Sequence, residues 1–113
     1  MHRAIALVAA FAFVLPRVCT ADEVERGRRL LAQYQCGSCH SIPGVESAHG
    51  TVAQPLAAWK HRSYIAGRLP NQRALLAQWI SAPQSLVPGT AMPSMGVSAS
   101  DARAMAAYLF TLE

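Results

Sequence analysis

The chain has 113 residues, room for one small domain, and carries ten Lys+Arg against six Asp+Glu, a net charge of +4. No basic run is dense enough to track a phosphate backbone, which excludes nucleic acid as a partner. There is no internal repeat, no low-complexity tract and no strand of convincing length.

Residues 1–21 read as a secretory signal peptide. His2 and Arg3 make a basic start, Ala4 to Leu15 is an unbroken apolar run, and Cys19-Thr20-Ala21 places small residues at a cleavage site after Ala21. The run falls short of the ~20 residues that a membrane-spanning helix needs. An uncleaved N-terminus acting as an anchor is the alternative. Arg17-Val18 before Cys19 is a poor context for lipidation. Cleavage removes Arg3 and Arg17, lowers the net charge to +2 and leaves residues 22–113 as one exported domain in the periplasm.

The first helix is expected from about Asp22 to Gln35. Asp22, Glu23 and Glu25 suit its positive end, and Val24, Gly27, Leu31 and Tyr34 share a face with Leu30. Gly27 inside a helix costs about 1 kcal/mol against alanine, which suggests close approach by another helix. Residues 41–61 lack periodicity and carry Pro43-Gly44, Gly50 and Pro55, the marks of loop and turn. Residues 63–69 are short and ambiguous. Asn71 is placed to cap a helix running to about Ala82, where Pro83 stops it. Residues 81–98 read as an extended loop, yet Leu86, Val87, Met92, Met95 and Val97 make it apolar, as a covering loop would be. Ser98 and Asp101 open a last helix that is expected to reach the C-terminus.

The chemistry centres on Cys36-Gly37-Ser38-Cys39-His40. A thioredoxin-like pair needs a preceding strand, and here a helix precedes. A zinc site needs four ligands; beyond Cys36 and Cys39 there are only His40, His49 and His61, at spacings that match no finger. Cys-x-x-Cys-His reads as c-type haem attachment. On a helical turn the three side chains share one face, so two thiols can form thioethers while the imidazole reaches the iron from the same side. For the second axial position the candidates are Met92, Met95, His49, His61 and Met105.

Together these residues resemble class I cytochromes c, and most resemble the short bacterial periplasmic monohaem members. CGSCH pairs with PGTAM at residues 88–92, and AAYL at 106–109 closes the last helix. The resemblance implies an all-α fold with three main helices and loops wrapped around one covalently bound haem c. In that fold the first and last helices cross at Gly27, with Leu30 or Leu31, Met105 and Tyr108 around it. It also implies Cys36 and Cys39 as thioether tethers and His40 and Met92 as iron ligands. Trp79 would pack beside the haem, Thr90 and Arg62 would bond its propionates, and the backbone carbonyl of Gln54 would accept the N–H of His40.

One segment departs from the family. Where Gly-Pro-Pro-Leu or Gly-Pro-Asn-Leu is usual, this chain has Ala53-Gln54-Pro55-Leu56. Glutamine in the first proline's place leaves the loop behind His40 less rigid, and the strength of that hydrogen bond follows. An extra residue between Gly27 and Cys36, relative to the mitochondrial form, implies a local adjustment near Tyr34.

The expected function is one-electron transfer through a six-coordinate His/Met haem, without enzymatic activity. The partners would be respiratory or dehydrogenase redox proteins, docked transiently; any membrane contact would come through them or through an uncleaved N-terminus. Arg62, Arg68 and Arg73 are candidates for a basic rim facing an acidic partner. The alternatives are a haem sensor or enzyme with labile methionine ligation, and a membrane-held cytochrome subunit of an oxidase or dehydrogenase.

Overall fold

A computed structural model describes residues 10–13 and 20–113. Most of the expected signal peptide, including Cys19, lies outside the described residues. Helix α1 (Ala21–Gln33) is capped by Thr20, whose Oγ1 accepts the Glu23 N–H at 3.1 Å. It stops two residues before the expected end. Tyr34 closes it, and Gln35 turns into the left-handed region at φ 58°. That reversal swings the chain directly into the Cys36–Ser38 turn.

After a long loop come a second short turn, Trp59–His61, and a small antiparallel pair, β1 (Tyr64–Ile65) with β2 (Leu69–Pro70). Tyr64 faces Pro70 and Ile65 faces Leu69, which resolves the ambiguous 63–69 segment as a hairpin. Helix α2 (Arg73–Ser81) follows. Asn71 does not cap it. The cap residue is Gln72, and the Asn71 Nδ2 instead donates to the carbonyls of Trp59 at 3.1 Å and Arg62 at 3.0 Å. These two bonds pin the 59–62 turn against the start of α2, while the Asn71 Oδ1 that a cap would use is buried and accepts nothing.

Residues 81–98 are not wholly extended either. Pro83 opens a one-turn helix, α3 (Pro83–Leu86), because a proline at the first helical position has no N–H to leave unpaired. Helix α4 (Ala99–Leu109) begins at Ser98, whose Oγ accepts the Asp101 N–H at 3.1 Å. It ends short of the C-terminus, and the last residues fold back so that the Lys60 N–H meets the Leu112 carbonyl at 3.0 Å.

The fold is all-α, with the hairpin as its only sheet among the described residues. Helices α1 and α4 cross, and α2 packs on α4. Leu31, Ile65, Leu76 and Met105 are the largest fully buried apolar side chains besides Pro83. Two polar clasps hold α4, one to α1 and the Tyr34 at its end, the other to the loop at Pro43. Asp101 accepts from Arg26 at 2.7 Å and from the Tyr34 hydroxyl at 2.8 Å, and the Tyr108 hydroxyl donates to the Pro43 carbonyl at 2.7 Å. Among the described residues no helix is long and apolar enough to cross a membrane.

Candidate functional site

Between α1, α2, α4 and the two loops lies a cavity of about 520 Å³. Its walls are mostly apolar, from Leu31, Leu56, Leu76, Trp79, Ile80, Met105 and Leu109. Into the same cavity the fold brings Cys36, Cys39 and His40 from the first turn, and Thr90 and Met92 from the loop after α3. The tight Cys36–Ser38 turn achieves the first grouping: the N–H groups of Cys39 and His40 both bond to the Cys36 carbonyl, at 3.3 and 3.0 Å. The two cysteines are not joined to one another, and burial pushes the Cys36 thiol up from its ordinary range.

His40 is oriented from behind. Its Nδ1 lies 2.6 Å from the Gln54 carbonyl. A carbonyl can only accept, so this contact puts the proton on Nδ1 and leaves Nε2 with its lone pair for a metal.

Met92 is held by a device that sequence reasoning missed. The Gln84 side-chain amide on α3 donates to the carbonyls of Thr90 at 2.7 Å and Met92 at 3.1 Å. The Met92 N–H points to Thr90 Oγ1 at 3.4 Å. An amide four residues before a Pro-Gly turn carries no signal of its own; only the unforeseen helix α3 turns it toward the loop.

The other ligand candidates fall away from this cavity. Met95 is 46% exposed and does not line it, and neither do His49 and His61, both on the surface. Met105 lines it but is fully buried within α4 among core residues. Among the described residues no three His, Cys, Asp or Glu side chains converge on a common point, so the zinc reading lacks its ligand set.

Trp79 lies in the cavity wall, 7% exposed. Trp59, which sequence reasoning also passed over, lies there too. Arg62 reaches the cavity, but its guanidinium is spent on the loop beside it: Nη1 donates to Gln54 Oε1 at 3.2 Å, and Nη2 to the carbonyls of Pro55 and of Ala57. Arg68 and Arg73 lie in the hairpin turn and at the start of α2, and neither lines the cavity.

The residues fit a haem. Two thiols, an imidazole with a free Nε2 and a thioether meet at one apolar cavity, a donor set suited to covalent attachment and to iron. The buried Trp59 Nε1 has no partner within the protein. A buried donor without an acceptor is costly, and a haem carboxylate is an acceptor of the right kind.

Comparison with known proteins gives the same direction. The family model described as cytochrome c matches residues 24–113. A similar protein is the cytochrome c oxidase subunit 2 of Alkalihalophilus pseudofirmus, 37% identical over 96 residues, a stretch covering 83% of this chain and 27% of that protein. The chain therefore spans about a quarter of that relative's length. No solved structure matches.

Proposed function

The chain belongs to the cytochrome c family of haem-binding electron carriers, with covalently attached haem c and its iron, and from that premise we propose a one-electron carrier with His40 and Met92 as axial ligands. Cys36 and Cys39 are the tethers. With both side chains on the iron no position would stay open for a substrate, which favours a carrier over an enzyme.

The haem supplies a one-electron couple, and the chain sets its terms. His40, fixed by the Gln54 carbonyl, presents Nε2 in a single orientation. Gln84 and Thr90 hold the Met92 loop so that the sulfur stays at the cavity. Methionine together with histidine would raise the reduction potential of the bound group. Leu31, Leu76, Trp79 and Ile80 exclude water and push the potential the same way, because a dry site disfavours the more highly charged oxidised state.

The observation that carries this reading is the convergence of Cys36, Cys39, His40 and Met92 on one apolar cavity that the other methionine and histidine candidates do not supply with an available ligand. The oxidised protein is expected to show the weak near-infrared band of methionine sulfur on ferric iron. A high-spin spectrum, with carbon monoxide taken up readily by the native reduced protein, would sink the reading in favour of a sensor or enzyme. Export to the periplasm rests on residues 1–21. Mass spectrometry of the purified protein checks both points: the expected product starts at Asp22 and carries one haem.

The likeness to an oxidase subunit favours a narrower form of the same reading, in which the electron acceptor is a terminal oxidase. Rapid oxidation of the reduced protein by such an oxidase, slowed by salt, is the expected behaviour for a transient charged encounter.

A further inference from the structure

Gln54 stands where the family has proline, and its neighbours show what replaces the lost ring. The carbonyl of Gln54 receives His40 Nδ1–H at 2.6 Å. The side-chain oxygen of the same residue receives Arg62 Nη1 at 3.2 Å. Arg62 Nη2 then reaches the Pro55 carbonyl and, at 3.2 Å, the Ala57 carbonyl. One planar guanidinium therefore holds three acceptors of the 54–57 loop at once. It also stacks on the Trp59 ring, 5.1 Å from the centroid. The backbone beneath it is pinned in turn, since Asn71 Nδ2 binds the carbonyls of both Trp59 and Arg62.

We propose that Arg62 is a positioning residue for the axial histidine, using the Gln54 side chain as a handle to keep the Gln54 carbonyl on His40. Proline holds such a carbonyl by locking its own backbone dihedral. Glutamine cannot, but it offers an acceptor that proline lacks. Arginine is the side chain suited to take it: it is always charged, its donors form a rigid fork, and its bonds to carbonyls are charge-assisted. A firmly held carbonyl makes the imidazole a stronger donor to the iron and lowers the reduction potential. The expected softness of this loop is thereby offset by a side-chain clamp. The inference rests on the reading of His40 as an iron ligand.

The test uses the haem-loaded protein and two readouts: deuterium exchange of the paramagnetically shifted His40 Nδ1–H signal, and the midpoint potential. Arg62→Met removes the clamp, and Gln54→Ala removes only the handle, at an exposed position where folding is not at stake. Both are expected to speed exchange about fivefold, the factor equivalent to one ordinary hydrogen bond, and Gln54→Ala, which leaves the charge unchanged, is expected to raise the potential. Adding Gln54→Pro to Arg62→Met is expected to restore slow exchange, because the ring replaces the clamp. Unchanged exchange in both single variants overturns the clamp. If that result comes with a potential altered only in its pH dependence, Arg62 instead pairs with a haem carboxylate. Absence of any shifted His40 Nδ1–H signal in the unsubstituted haem protein overturns the ligand assignment itself, and the clamp with it.

Discussion

No β-carbon fits between Gly27 and the carbonyl of Ala104: α1 and α4 meet there backbone to backbone. An added methyl at Gly27 would press on the Ala104 carbonyl and approach the Met105 nitrogen, and neither can rotate away. This contact gives the mid-helix glycine its reason, and it places Leu30 and Leu31 of α1 against Met105 and Tyr108 of α4 in one core.

Gly27→Ala is therefore expected to destabilise the haem-loaded protein despite its better helix propensity. Propensity favours alanine by about 1 kcal/mol, while overpacking a tight contact costs about 1–3 kcal/mol and a backbone obstacle lies at the upper end. Denaturant unfolding should show a net loss; an unchanged or raised midpoint would contradict the crossing.

Asp101 links the same two helices through charge. The Tyr34 hydroxyl and then Arg26 hold its carboxyl below the usual carboxylate range. A lowered folded pKa gives stability that is present above the ordinary value and lost as pH falls through the folded one. Asp101→Asn should thus be less stable than the native chain at neutral pH, with the gap closing below about pH 4. A gap that stays constant into strong acid would show that the carboxylate charge is irrelevant.

Met92 and Met95 lie three positions apart but in different surroundings, one at the cavity and the other 46% exposed. Met92→Ala is expected to abolish the near-infrared sulfur–iron band, while Met95→Ala leaves it intact. The reverse outcome would move the ligand.

Gln84→Ala removes both bonds that tie α3 to the Thr90 and Met92 carbonyls. At about 1 kcal/mol each, their loss should let added imidazole displace the methionine at least about tenfold more readily. A titration following the same band measures this. No change would mean that the loop holds itself.

The elements that the sequence announced well were those whose signals lie close together along the chain. Ser98 three residues before Asp101 marked the start of α4, and Cys36, Cys39 and His40 marked one face of a single turn. Where a residue had both a local and a distant partner, the sequence pointed to the local one. The sequence places Asn71 to cap α2, yet its amide bonds to carbonyls nine and twelve residues back. Helix α3 was hidden in a segment whose prolines and glycines argue for loop, although Pro83 is well suited to a first helical position.

The cytochrome c family, the haem, the proposed tethers and the proposed histidine ligand follow from the sequence by itself, because Cys36, Cys39 and His40 are particular side chains at fixed short spacings. The choice among its methionines took the resemblance of PGTAM to a family motif. The supports behind the site were decided only by the tertiary structure. Gln54 and Arg62 are eight residues apart, Gln84 spans six and eight residues to its acceptors, and Tyr34 and Asp101 are separated by 67. Such bonds depend on how loops close and which way a polar side chain turns, and no periodicity records that. The glutamine in the proline position shows the difference most clearly: along the chain it is a missing constraint, and in space it is the point by which Arg62 holds the loop behind His40.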